Sequence, residues 1–284
     1  MIDADIVLKK IEPMIAMQAG LNEKLGAPVF PANHIVEEEW KRHTYSLQLE
    51  EFAFIMDVRD FQLKKEAHTD RFFGMQLRDI LSLLRRIHPD VLDAYIHWGK
   101  AAYDLTYSSQ IDSQMAQRKI SYRILIPLLF QSTPRTPPNE RPYYWVIQTV
   151  KPYQLDENKQ LVLQHNSYRI IKKFEEGDLA TFKAEICHDD GLVTLEETNS
   201  LLQHLYKNLL EELGEEAANI LNAYLEGCKT ADEVAATLGY SINRVNTIQK
   251  TILKNANEWY PWQVFTMAKQ FAQFLAKTML QDRC

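Results

Sequence analysis

Apolar and polar positions change their period several times along the chain, and each change marks a predicted element. Ile2, Ile6, Val7 and Ile11 recur at helical spacing, which predicts a helix that Pro13 interrupts. A loose stretch punctuated by Gly20, Gly26, Pro28 and Pro31 follows. The apolar run over 52–58, the turn residues Asp57-Val58-Arg59-Asp60 and then Phe61-Gln62-Leu63 predict a strand, a tight turn and a second strand. Two helical stripes come next, Leu77, Ile80, Leu81 and Leu84, then Val91, Leu92, Tyr95 and Ile96, with Pro89 suited to the first turn of the second helix. Segments 120–131, 143–150 and 161–174 read as three long strands of an antiparallel meander. Pro127 marks an edge or a bulge in the first, and the proline-rich loop 134–142 and the polar turn 155–159 join them. Beyond Asp189-Asp190-Gly191 the period is helical to the end. Thr194 and Glu197 fit a capping box that opens a helix over about 195–213. Its stripe of Leu195, Leu202 and Leu209, joined by Leu201, Leu205 and Leu213, suits either packing on the chain's own sheet or a dimer seam.

The densest set of positional demands lies in 231–250. Two short helices that cross steeply need a small residue at the contact, and Ala235 supplies it. Four residues on, the turn favours a residue at ease with positive φ, and Gly239 stands there. Val234, Leu238, Tyr240, Val245 and Ile248 fall at the contact positions, and Ser241 fits the N-cap of the second helix. A scaffold helix with the stripe Ala217, Ile220, Leu221, Tyr224 and Leu225 precedes them and closes at Gly227. The pattern predicts a helix-turn-helix in preference to a plain helical hairpin.

Charge points the same way. Asp232 and Glu233 lie on the first helix, whereas 241–256 carries Arg244, Lys250 and Lys254 and no acid. The second helix of such a motif enters the major groove with its N-terminal residues nearest the bases. Asn243, Arg244, Asn246 and Thr247 are therefore the expected base readers, and Gln249, Lys250 and Lys254 the expected backbone contacts. With Ser241 at the helix start these form the candidate DNA-binding set.

Leu225-Glu226-Gly227, the run Ala231-Asp232-Glu233-Val234-Ala235-Ala236-Thr237-Leu238, Ser241, Arg244-Val245-Asn246-Thr247 and Ile252-Leu253 together resemble the LuxR-type helix-turn-helix of bacterial transcriptional regulators, over about a fifth of the chain. The sequence departs from the family pattern at Arg244, where the family has Thr, at Ile248, where it has His, and at Glu215-Glu216, where it has a basic residue. The tail is longer than the family's last helix. Trp259-Tyr260-Pro261-Trp262 leads into a stripe of Phe265, Ala268, Phe271, Ala272 and Leu275, expected to bury against the sensor or a second subunit. The middle of the chain, with strand–strand, short helices around Phe72-Phe73-Gly74 and His88-Pro89-Asp90, then the meander, is similar to a PAS domain with a five-stranded antiparallel sheet and helices over one face. The resemblance implies an α+β fold in which a PAS-like sensor feeds an all-α LuxR-type output. The expected divisions are an N-terminal helical extension over 1–45, the PAS-like sensor over 46–190, a linker helix over 191–213 and the DNA-binding domain with its extra helix over 214–284. The partners it implies are double-stranded DNA, a small-molecule ligand in the sensor and a second copy in a homodimer.

Composition narrows the alternatives. The chain has 284 residues and a formal net charge of −6, so nucleic acid would be held by a local basic element and not by the whole surface. Cys187, Cys228 and Cys284 lie far apart and suit a reducing compartment. The N-terminus lacks the pattern of a signal peptide, and no apolar stretch reaches the roughly 18–20 residues of a spanning helix, so a cytoplasmic protein with no membrane partner is expected. Phosphate-binding glycine loops are absent, and no cofactor, metal site or enzymatic activity is expected. His188 beside Asp189-Asp190 is the closest approach to an acid/base cluster and reads as a turn; His88 and His97 are the candidate haem ligands, His88 reading as structural. The alternative to a regulator is an interaction or assembly module whose helix-turn-helix no longer binds DNA.

Overall fold

The computed structural model describes residues 2–22, 33–107, 120–130, 142–156, 161–175, 178, 184–188 and 191–279. The loops expected over 23–32 and 134–141, most of the turn 155–159, the Asp189-Asp190 pair and Cys284 lie outside them. Two compact units divide the chain, one of Met1–Leu92 with Thr106–Thr194, the other of Asp93–Leu105 with Leu195–Cys284.

The first unit opens with α1 (Ala4–Asn22) and α2 (Asn33–Ser46). Helix α1 runs through Pro13, where the sequence predicts a stop. A proline costs a helix one rung, and burial of Val7 and Ile11 together with packing of α1 on α4 (Ile80–Leu84) holds it together. Helix α2 falls within the helical extension expected over 1–45, although no apolar stripe marks it in the sequence; among its residues of described burial, Trp40 is the large buried one. Helix α3 (Thr69–Phe73) precedes α4, and α5 (Pro89–Tyr107) begins at the expected proline.

Strands β1 (Glu51–Asp57), β2 (Leu63–Ala67), β3 (Ile120–Leu129), β4 (Tyr143–Leu155), β5 (Leu161–Lys173) and β6 (Ala184–His188) form one antiparallel sheet in the order β2-β1-β5-β4-β3-β6. The sheet has six strands, not the expected five. Five residues are too few to display an alternation, yet β6 covers the Ile120–Ile124 half of β3 and buries Cys187. Pro127 lies in the other half of β3, beyond β6. There its carbonyl accepts from the His88 N–H at 3.0 Å, beside an isolated bridge between Ile87 and Leu128 in which the Leu129 N–H donates to the Arg86 carbonyl at 2.7 Å.

Side chains alternate across the sheet. Phe52 and Phe54 stand on one face, where Phe52 stacks on Tyr168 at 4.5 Å and meets Phe73 at 5.1 Å and Phe130 at 6.2 Å. Ala53 and Ile55 stand on the other, under Trp40 with Tyr153 and Leu163. Helices therefore cover both faces near β1, where one covered face is expected; α2 supplies the second cover.

The second unit comprises Asp93–Leu105 of α5, then α6 (Leu195–Leu213), α7 (Glu215–Leu225), α8 (Ala231–Leu238), α9 (Ile242–Trp259) and α10 (Ala268–Met279). Helix α6 has the predicted limits. Of its leucine stripe Leu201, Leu205 and Leu209 are buried, Leu202 is half-buried and Leu195 is exposed. Asn208 donates to the Asp104 carboxylate at 2.7 Å, and His97 Nε2 lies 3.0 Å from Glu212, with its ring 4.9 Å from that of Trp259. The apolar face of α10 buries in neither expected place: Phe271, Ala272 and Leu275 pack against α7, α6 and α9 of their own unit.

Candidate nucleic-acid interface

Thr230 caps α8 by accepting the Glu233 N–H at 3.2 Å, and the Glu233 carboxylate accepts the Lys229 N–H at 2.6 Å. Val234 and Ala235 are buried on this helix and Leu238 is half-buried. The helix ends at Gly239 with φ +68°, ψ 26°, where the Tyr240 N–H donates to the Ala235 carbonyl at 3.0 Å. A Cβ on Gly239 would meet nothing within 4 Å, so the demand there is conformational and not steric crowding. Gly239→Ala is expected to cost about 1–2 kcal/mol in urea unfolding, with Gly239→Asn recovering part of it. An unchanged midpoint for the alanine variant would remove the turn from the account.

Ser241, in extended conformation, caps α9 by accepting the Arg244 N–H at 3.3 Å. Val245, Ile252, Ala256 and Trp259 form the buried stripe of α9, and Tyr240 and Ile248 are half-buried beside it. Ser241, Asn243, Arg244, Asn246, Thr247, Lys250 and Lys254 are all exposed. They share one face with Thr251, and this face carries no acid before Glu258.

Besides the Ser241 hydroxyl at the cap, three candidate side chains already have partners. Gln249 is half-buried and donates Nε2 to the Tyr224 hydroxyl at 2.6 Å, which ties α9 to α7. The Thr247 hydroxyl donates to the Asn243 carbonyl at 2.9 Å. Arg244 pairs with the Glu216 carboxylate and lies over the Tyr240 ring, its Cζ 5.5 Å from the centroid. Glu216, Tyr240 and Tyr224 are the contributors that the sequence reading did not assign to the site. Glu215-Glu216 carried a signal, as an acidic pair where the family has a base, but the partner sits 28 residues away.

Elsewhere the described residues offer cavities of about 280 Å³ beside Trp40, His43, Lys151, Tyr153 and His165, about 200 Å³ beside Ile11, Arg59 and Ile80, and about 620 Å³ beside Lys65, Met75 and Arg78. The candidate haem ligands line none of these: His88 accepts the Asp90 N–H at 3.3 Å between Tyr143 and Phe174, and His97 faces Glu212. Among the described residues no three His, Cys, Asp or Glu side chains gather to hold a metal ion, and no helix is long and apolar enough to cross a membrane.

No family model and no curated protein matches the chain. Among solved structures it is similar to a phage VqmA–DPO complex at 13% identity and a TM-score of 0.26, over 87% of this chain and 90% of that one. A Vibrio cholera VqmA–ligand–DNA complex is similar at 13% identity and a TM-score of 0.26, over 84% and 85% of the two chains. A Vibrio cholerae VqmA dimer without target DNA, described in terms of LuxR-type receptors, is similar at 14% identity and a TM-score of 0.26, over 84% and 87%. Overlaps of that extent leave the chemistry of this chain to its own residues.

Proposed function

We propose that the chain is a cytoplasmic DNA-binding transcriptional regulator in which a PAS-like sensor over 46–190 controls a LuxR-type helix-turn-helix within 214–284. The observation that carries the reading is the exposed face of α9. Ser241, Asn243, Asn246, Thr247, Lys250 and Lys254 project from a helix whose opposite stripe is buried, beyond a corner closed by Gly239 in the left-handed region. Amides and hydroxyls near the helix start suit base edges; Lys250 and Lys254, two and three turns in, suit phosphates. A homodimer follows from the reading, since two-fold symmetric operators need two copies of the recognition helix. A small-molecule ligand would act through the sensor by changing how that helix is presented.

The test is binding of the full chain to a labelled random-sequence duplex across a salt series. Each lost phosphate contact lowers the salt slope by about 0.9, which at about 0.1 M salt is about eightfold in affinity. Lys250→Ala with Lys254→Ala is therefore expected to reduce the slope by about 1.8 and binding by about 60-fold. Net acidity and the occupied guanidinium of Arg244 favour the second reading, an assembly module. A wild-type chain that forms a stable oligomer and binds no duplex at low salt would establish that reading and end the first.

A further inference from the structure

Two departures from the LuxR-type pattern meet in space. Arg244 stands where the family has Thr, Glu216 stands where it has a base, and the two form an ion pair between α9 and α7. The arginine is held on two further sides, with its guanidinium over the Tyr240 ring and its backbone N–H taken by the Ser241 cap. Its side chain nevertheless keeps 58% of its exposure, and that of Glu216 keeps 41%.

We propose that Glu216 is a positioning residue that withdraws Arg244 from phosphate contact and fixes its guanidinium as a guanine reader. The inference rests on the DNA-binding reading above and deepens it. A phosphate grip needs a free cation on a flexible stem, and the adjacent carboxylate cancels most of that charge. What remains is a planar array of donors, one bonded to Glu216 and the rest on a group half open to solvent. Guanine offers two acceptors, O6 and N7, in the major groove, and a pre-oriented guanidinium fork matches them. Fold stability is a poor reason for the pair, because exposed ion pairs contribute little. Its consequence lies in selectivity: sequence-independent affinity is traded for a fixed reader near the start of the recognition helix.

The experiment is a double-substitution cycle on the full chain with Glu216→Gln and Arg244→Ala, read on random duplex and on sequences selected from a randomised pool. Releasing Arg244 by E216Q is expected to steepen the random-duplex salt slope by about 0.9 and to raise affinity about eightfold at about 0.1 M salt. Arg244→Ala alone should leave that slope unchanged, yet lower it by about 0.9 in the E216Q background. In the selected pools the wild type should enrich guanine at one half-site position, and both single variants should lose that enrichment. An equal gain from E216Q in the wild-type and R244A backgrounds would reduce Glu216 to general repulsion and overturn the proposal. Unchanged guanine enrichment in E216Q would overturn it too. If the wild type and E216Q both bind no duplex at low salt, the DNA-binding reading itself fails, an outcome distinct from either of these.

Discussion

Replacement of Phe271 by alanine is expected to destabilise the helical unit by about 3–5 kcal/mol, the range for truncating a fully buried aromatic side chain. Phe271 has no exposed surface and sits amid rings, with centroids 5.2 Å from Phe265, 6.3 Å from Tyr260, and 6.4 Å from Trp259 and Phe274. Trp259 and Tyr260 end α9, while Phe274 belongs to α10 and Phe265 to the segment leading into it. No single neighbour can fill the space left by a lost ring without abandoning its own contacts, so a cavity persists and the cost stays near the upper range. Phe271→Leu keeps most of the volume and should cost less than half as much. Urea unfolding followed by far-ultraviolet circular dichroism reads both variants. A loss below about 1 kcal/mol for alanine would mean that α10 is not the keystone of this core. On the DNA-binding reading a functional consequence follows from position: the rings clamp the C-terminal end of α9, while Ser241 and Gly239 set its start. Loosening the clamp should therefore weaken duplex binding without removing a single cation.

The elements that depend on local patterning were legible in the sequence. Helix α6 runs over the predicted 195–213, and α9 starts behind Ser241 as its capping chemistry requires. The meander of β3, β4 and β5 followed from three β-branched and aromatic runs separated by turn residues. What escaped depends on partners distant in the chain. Helix α2 lies in the expected helical extension but is too charged to show a stripe, so its packing site escaped: only the sheet face beneath Trp40 explains why it packs there. Strand β6 is five residues long and is specified by the open edge of β3. Pro13 should break a helix on local grounds, but tertiary burial of Val7 and Ile11 overrides it. At the interface, the exposed row of α9 could be read from spacing, whereas the occupation of Arg244 and Gln249 could not. Their partners, Glu216 and Tyr224, sit on a helix that only the fold brings alongside.

The same dependence on distant partners makes the first unit sensitive to acid. His43 on α2 and His165 on β5 meet edge to face, with ring centroids 4.1 Å apart, and Trp40 lies 6.2 Å from each. Neither Nε2 has a hydrogen-bond partner among the described residues. Burial, chiefly, then His43 and Lys151, push the His165 imidazole down to about 3, and burial lowers His43 as well. The groups around the pair are Glu39 on α2, Glu51 on β1, and Lys151 and Tyr153 on β4; of these Glu51 favours a charged His43 and Lys151 opposes it. A folded-state pKa below that of the unfolded chain, near 6.5, means that the unfolded state takes up protons first. The stability these rings contribute is therefore complete above about pH 6.5 and is lost as the pH falls towards the folded-state values. Between about pH 7 and pH 5 the loss should be about 1–2 kcal/mol for His165, with a smaller share from His43. The carboxylates whose affinity for protons is lowered, Asp57 and Asp178 among them, act below this window. His88, lowered by its own burial, does act within it, so the pair is isolated by difference. The drop in unfolding free energy over that interval should shrink by at least half in a variant carrying His43→Gln and His165→Gln. Because the readout is a difference between two pH values, a general destabilisation by the substitutions does not mask it. An equal drop in wild type and variant would place the acid sensitivity elsewhere and leave the two rings as packing alone.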